Sequence, residues 1–512
     1  MRALPLLFAA WMTLWQLSSA DPPAPAGGRD PDDRIAAHAA APAGLEDYLR
    51  EKMARRRIPG MQVAVVRDGR IVFSASYGKA NLQDDIAVTP ATVFSINSAT
   101  KAFTGVAILQ LAEAGKLSLD APVSRYLADL PPAWQAVTIR QLLNHTSGLP
   151  DILVPPRGQG TGSLVGDGGE DAAWKTVQTL PMAFPTGTAY RYNQTNYVLL
   201  GRIIDALGGM PFTRFIGERQ FAPAGMRHAG FGDSRDITPH RAQPYRYPGG
   251  ATTLATGELQ HAFDEFPPML RTGAGINASA DDVANWIIAL QDGRLLSPGG
   301  LRALWSPGRF NDGRKTPWAS GWPRIDRDDH PAVAGIGGRR SAFFVYPQDR
   351  LAVVVLTNLA GANPEEFIDE IAGFYLPDFN VANGGALPRP VKALRRGLIA
   401  RGWDQGMAVV ADLKRQDPAF ELREDDLNAW GYRLVQDGQT KEGLAVLQLN
   451  TELFPASGNT FDTLAEAQAI SGDREAAIRN YRISLQRDPE NRNAVERLRA
   501  LGAPVADESH RR

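Results

Sequence analysis

The chain has 512 residues and no cysteine, and its 55 lysine and arginine residues nearly balance 56 aspartate and glutamate residues. A net charge of −1 lacks the basic field that a dedicated nucleic-acid binder needs. The missing cysteines exclude disulfides, thiolate nucleophiles and cysteine-ligated metals, while the length allows a large core and more than one domain.

Residues 1–20 read as a secretory signal peptide: Arg2 supplies one positive charge, an apolar run extends from Ala3 to Leu17, and Ser18-Ser19-Ala20 is a small-residue exit with cleavage after Ala20. The run is shorter than the ~20 residues of a membrane span. A periplasmic or secreted protein with no stable membrane span after cleavage is therefore expected, with an uncleaved anchor as the alternative. Residues 21–43 have the Ala/Pro/Gly/Asp composition of a flexible linker.

From Gly44 the spacing of Leu45, Leu49 and Met53 predicts a helix. Strand-like runs follow at Gln62–Val66 and Ile71–Ala75, with Asp68-Gly69 as a hairpin signal between them. Ser98-Ala99-Thr100-Lys101 comes next. A serine and a lysine three positions apart share one side of a helix, and the run from Ala102 to Leu111 is apolar on nearly every side, which predicts a buried helix. An ammonium there is costly unless it is paired or loses its proton. A lysine of lowered pKa beside a hydroxyl can activate that hydroxyl as a nucleophile. For this motif alone, a helix start with a snorkelling lysine is the plainer alternative.

Asn144-His145-Thr146-Ser147-Gly148 predicts a turn held by side-chain hydrogen bonds. In a Ser-His-Asp reading His145 would be the base and Asp151 its orienter; the turn chemistry argues for a structural role, and His145 is left out of the catalytic set. Residues 152–171, with six glycines, and 229–270, without clear periodicity, predict long loops. Between them, Tyr192 and Gln194 sit in the approach to a helix running from about Tyr197 to Leu207. A tyrosine beside a lysine can accept a proton, and an amide can orient the lysine or bind an acyl group. No Gly-x-Ser-x-Gly or His-Glu-x-x-His occurs, which counts against an α/β-hydrolase or a zinc hydrolase, and no cofactor is expected. Ser341–Tyr346 and Leu351–Leu356 form a second candidate hairpin. Strands at both ends with helices between predict an α+β layer whose termini complete one sheet.

Residues 377–390 read as a Pro/Gly linker, 391–501 as a helical repeat region and 502–512 as a tail. Gly438 and Gly472, Pro455 and Pro489, Trp430 and Leu464, Gly431 and Ala465, and Leu447 and Tyr481 each recur at 34 residues. This period, with small residues at a helix crossing, resembles tetratricopeptide repeats, and residues 391–418 supply an earlier, degenerate pair.

The order Ser98-x-x-Lys101, then Leu142-Leu143-Asn144-His145-Thr146-Ser147-Gly148-Leu149-Pro150, then Tyr192 with Tyr197-Val198-Leu199-Leu200-Gly201, then a hairpin ending Val355-Leu356-Thr357-Asn358 resembles the serine β-lactamase superfamily. The branch is the one that unites class C β-lactamases, D-alanyl-D-alanine peptidases and related esterases, over roughly Leu45 to Tyr375. For residues 44–376 the resemblance implies an α+β, β-lactamase/transpeptidase-like fold: an antiparallel sheet flanked by helices plus a helical region, with the site between them. It implies acyl transfer through a covalent Ser98 ester without a metal. Lys101 and Tyr192 would move the proton, either one as primary base, and Gln194 would orient Lys101 or the substrate amide. The N–H groups of Ser98 and about Gly338, beside Gly337, would hold the oxyanion.

Two positions depart from the family pattern. Its Tyr-x-Asn is Tyr192-Asn193-Gln194 here, so either Gln194 reaches the site with an extra methylene or Asn193 turns inward. Its Lys/His-x-Gly aligns with Gly335-Ile336-Gly337, which lacks the basic side chain; Arg339, Arg340 and the remoter His330 are the candidates to replace it. The expectation is an exported serine hydrolase acting on an ester or small peptide rather than on β-lactams, with the repeats free to hold a protein or peptide partner. The competing class is a catalytically degenerate fold that serves, with the repeats, as a binding module.

Overall fold

The computed structural model describes residues 41–153, 169–248, 258–327, 329–377, 379 and 387–504. The expected signal peptide, residues 21–40, most of the glycine-rich loop at 152–171 and the centre of the expected linker at 377–390 lie outside the described residues.

Seven antiparallel strands form the main sheet, in the order Ile86–Ala87, Arg70–Asn81, Gly60–Arg67, Leu351–Thr357, Ser341–Tyr346, Ala332–Gly337, Arg324–Ile325. Early and late strands meet at its centre, where Val63 pairs with Val355 and Val65 with Val353. Both faces are covered. Val63, Val65, Phe344 and Val353 share a core with the helices Leu45–Arg55 and Ile368–Gly373, whereas Ala64, Val66, Phe343 and Val354 share one with Ala280–Gln291. A sheet buried on both sides is written in sequence as unbroken apolar runs rather than alternation. The first hairpin turns through Asp68 (φ 52°) and Gly69 (φ 74°), with Arg67 facing Arg70 across a two-residue loop.

The Thr100–Glu113 helix is buried without a break from Thr100 to Leu109 and packs on the helix Thr195–Gly208. Within 229–270, where the sequence predicts only loop, the two-residue strands Gly230–Phe231, Tyr245–Arg246 and Gln260–His261 occur. They are too short to leave a periodic signal. Two of them pair with distant partners, Phe231 with Ile276 and Tyr245 with Leu359.

The elements within 389–500 are all helices. The first of these helices starts at Arg389, inside the expected linker, because a proline in the first helical turn sacrifices no hydrogen bond. Helices beginning at Glu424, Gly458 and Arg492, and at Gly406, Thr440 and Arg474, each start 34 residues after the one before. Gly431 and Gly443 let two of them cross closely: a Cβ at Gly431 would stand 2.6 Å from the Leu447 side chain, and one at Gly443 would stand 2.8 Å from the Gly431 carbonyl.

The apolar cores of the sheet and of the helical region are separate clusters, and ionic contacts bridge them. Lys52, nearly buried on the Leu45–Arg55 helix, lies 2.9 Å from Glu370 and 2.7 Å from Asp437, and Arg56 donates to Gln436 at 2.6 Å. Removing the cation would strand two carboxylates. Lys52→Ala is therefore expected to cost about 3 kcal/mol, with partial recovery when Glu370→Gln and Asp437→Asn are added; urea denaturation of the two variants checks this.

Candidate active site

Asn97 adopts φ 47° immediately before Ser98, and the 3-10 turn Asn97–Ala99 feeds straight into the Thr100–Glu113 helix. Ser98 thus stands, partly exposed, at a helix N-terminus, and Lys101 follows one turn later at 0% exposure. Lys101 Nζ lies 3.4 Å from Ser98 Oγ and donates to the Gly273 carbonyl at 2.8 Å. The rings of Tyr192 and Tyr197 face it at 4.7 and 5.0 Å. Burial pulls the Lys101 pKa down to about 7, against the weaker opposing charge of Asp151. A neutral amine here has an N–H for Gly273 and a lone pair for the serine proton.

The Tyr192 hydroxyl lies by the Ser98 and Gln194 side chains, both of which act on its pKa. Burial raises its pKa well above the ordinary phenol value, and those two side chains only partly oppose the shift. Gln194 and Lys101 both lie beside Gly273, where a Cβ would stand 2.7 Å from Gln194 Oε1 and 3.3 Å from Lys101 Nζ. Asn193 faces the other way: its amide donates to the Leu149 carbonyl at 2.6 Å and its oxygen accepts the Asn196 N–H at 3.2 Å, which starts the Thr195–Gly208 helix. Gln194 is therefore the amide at the lysine.

His145 Nδ1 accepts the Asn193 N–H at 3.2 Å, and its ring lies 4.6 Å from that of Tyr192 and 5.1 Å from that of Trp318. Burial depresses its pKa, with Lys101 adding to the effect. Asp151 Oδ1 accepts the N–H groups of Leu153 and Gln194. The pair shapes the turn that carries Tyr192 and Gln194.

The strand Ala332–Gly337 ends against the nucleophile turn. A Cβ at Gly337 would stand 1.9 Å from the Ile96 carbonyl, and one at Gly338 (φ 59°) would stand 2.5 Å from Asn97 Nδ2. Gly335, two residues back, has the Phe343 ring where a side chain would go: a Cβ would lie 2.1 Å from Phe343 Cζ. Phe343 is its cross-strand partner, and its ring is held edge-on by Trp322 and Trp286. None of the three candidates restores the missing charge at Gly335. Arg340 is buried behind the turn on Asp264 and on Asn97 Oδ1 (3.3 Å), and Asp264 also holds Arg241. Arg339 is exposed. His330 precedes the far end of the strand and bonds Asp349 at 2.8 Å.

Residues 45–375 match the Beta-lactamase family. The chain belongs to that family. The Bacillus subtilis (strain 168) protein PbpX is 34% identical over 246 residues, which are 48% of this chain and 58% of PbpX; the chain thus spans under two thirds of that relative. The penicillin binding protein of Bacillus halodurans is 28% identical with a TM-score of 0.51, covering 62% of this chain and 96% of that one. EstCE1, a hydrolase with promiscuous acyltransferase activity, shares the fold at 21% identity and a TM-score of 0.55, covering 64% of this chain and 97% of its own.

Within this β-lactamase-related domain, Gly273, Asn97 and Phe343 carry no motif signal in the sequence. The one hint for Gly273 is the small-residue run Gly273-Ala274-Gly275 closing a long irregular stretch. The Phe343 ring makes a definite expectation for the third motif. Gly335→His should overpack the core and lower stability by about 3 kcal/mol, whereas Gly335→His with Phe343→Ala should recover much of it; equal denaturation midpoints for the two would contradict the steric account.

Proposed function

We propose that the chain is a serine hydrolase working through an acyl-enzyme on Ser98, with Lys101 as the primary base. The carrying observation is the buried Lys101 amine, 3.4 Å from Ser98 Oγ, with its pKa lowered to about 7. Lys101 Nζ takes the serine proton as Oγ attacks an ester or amide carbonyl carbon. Tyr192, a phenol with a raised pKa, cannot hold a resting charge at neutral pH; from its place beside Ser98 it relays the proton to the leaving group. The N–H groups of Ser98 and Gly338 receive the oxyanion, with the helix N-terminus adding a favourable dipole. Gln194, whose Oε1 lies beside Gly273 as the amine does, orients Lys101 or the substrate amide. Water then hydrolyses the ester by the same proton path.

Neutral esters or small amides suit this site better than β-lactams or peptides ending in a carboxylate. Phe343 occupies the space over Gly335, and the nearby guanidinium of Arg340 is taken by Asp264. Export is supported by the N-terminal sequence, and the 34-residue spacing of the C-terminal helices supports a tetratricopeptide-like array that binds rather than catalyses. The intact Ser98, Lys101 and Tyr192 set favours an enzyme over a degenerate binding module.

Ser98→Ala is expected to abolish fluorophosphonate labelling and p-nitrophenyl acetate hydrolysis while leaving the melting temperature unchanged. Equal turnover by parent and variant would sink the nucleophile assignment. A second expectation concerns pH. Only the unprotonated lysine can act as base, so kcat/KM should rise with pH through a limb near 7 and level off above it. Lys101→Ala should lower kcat/KM about 100-fold or more, and adding Tyr192→Phe should cost little further, because groups acting as one unit are non-additive. A profile flat from acid to alkaline pH would rule out Lys101 as the base.

A further inference from the structure

Tyr192 belongs to a group of rings beside Ser98. Its ring centre lies 5.5 Å from that of Trp318, whose own lies 6.2 Å from that of Tyr190. All three surround the His145 imidazole, at 4.6 Å for Tyr192, 5.1 Å for Trp318 and 6.1 Å for Tyr190. His145 is fully buried, while each of the three rings around it is partly exposed. Their open sides therefore face away from the imidazole and form one aromatic patch that reaches Ser98 through Tyr192.

The patch is apolar and held in place. Trp318 keeps its Nε1 closed to solvent, beside Tyr197, so the open part of its indole is hydrocarbon. The Trp318 carbonyl accepts the Gly308 N–H at 3.0 Å and the Thr316 hydroxyl at 2.6 Å, and the His145 carbonyl accepts the Arg191 N–H, next to Tyr190, at 3.0 Å. Rings fixed in this way lose little entropy when a ligand settles on them. Core packing alone would have closed them off, as it does Trp286 and Trp322, both 0% exposed. An open aromatic face suits a flat, apolar group that stacks on it or meets it edge-on.

The chemistry says which part of a substrate lies there. When Ser98 Oγ bonds to the acyl carbon, the bond from that carbon to the leaving oxygen breaks, and this oxygen takes the proton relayed by Tyr192. The leaving group must then stand on the Tyr192 side of the acyl carbon, where Trp318 and Tyr190 are the adjoining surface.

We propose that Trp318 and Tyr190 bind the leaving group and that this group is aromatic, which makes the substrate class an aryl ester. The assignment rests on acyl transfer through Ser98 and adds the substrate to it. The test is hydrolysis by the full chain of 2-naphthyl acetate and hexafluoroisopropyl acetate, each rate divided by that of hydroxide on the same ester. The two leaving groups are of similar acidity, and both esters leave the same acetyl group on Ser98, so kcat/KM reports how the leaving group is recognised. The naphthyl ester should be favoured about 10-fold. Trp318→Leu and Tyr190→Leu should each reduce that preference about 3-fold, whereas a general loosening of the site would slow both esters alike and leave their ratio unchanged. The ester comparison on the parent chain needs no variant, so it decides even if Trp318→Leu misfolds. Equal normalised rates with the parent, or an undiminished preference in both folded variants, would overturn the aryl assignment while ester hydrolysis itself persists. Hydrolysis of neither ester by the parent would instead overturn acyl transfer on Ser98, and the leaving-group assignment with it.

Discussion

The burial of the Lys101 amine is the constraint around which the site is arranged. An ammonium taken out of water costs several kcal/mol unless it is paired, and no carboxylate stands at ion-pair distance from Nζ among the described residues. Asp151, the one acid that acts on it, spends its oxygen on the Leu153 and Gln194 N–H groups. The fold meets the cost by favouring the neutral amine. The same apolar surroundings push Tyr192 upward and His145 downward, so three titratable groups within one cluster are all driven toward their uncharged forms. An uncharged cluster leaves the charge that develops during acyl transfer to be met by fixed dipoles, which are the helix N-terminus and backbone N–H groups. Gly273 is part of the same arrangement, because any side chain there would collide with Gln194 and crowd Lys101.

A second constraint is the approach of the strand Ala332–Gly337 to the nucleophile turn. Gly337 and Gly338 lie so close to Ile96 and Asn97 that no side chain fits at either position. The strained Asn97 conformation is held from behind by Arg340, which Asp264 fixes in turn. A basic group beside Asn97 is thus present but committed to holding the backbone, while at Gly335, which lacks one, the space is closed by Phe343. The proposed substrate preference rests on packing as much as on charge: the Phe343 ring, held edge-on by Trp286 and Trp322, fills the space that a side chain at Gly335 would need.

The fold was legible where one segment carries its own signal. Asp68-Gly69 marked a hairpin, the all-round apolar run after Lys101 marked a buried helix, and the 34-residue spacing marked helices that begin at that interval. The site was legible in part for the same reason: Ser98 and Lys101 are local to one helix, and Tyr192 and Gln194 are local to one turn. Contacts made across the fold left no mark. Gly273 meets Lys101 from 172 residues away, Phe343 reaches Gly335 only through strand pairing, and the two-residue strands at 230–231 and 245–246 exist only through distant partners. Whether Gln194 or Asn193 faces the lysine could not be read from sequence, because the answer depends on the Leu149 carbonyl that captures Asn193.

Among the described residues the helical region contributes none to the Ser98 cluster, and its apolar core is separate from that of the sheet. What joins the two is polar: Lys52 between Glu370 and Asp437, and Arg56 between Glu366 and Gln436. Ion pairs and amide contacts orient two surfaces more specifically than they stabilise them, so this junction sets an angle between two separately built cores. A fixed angle brings acids from the helices opposite Arg339, one residue past the glycine that faces the nucleophile turn. A polar cavity formed in this way takes its shape from the junction.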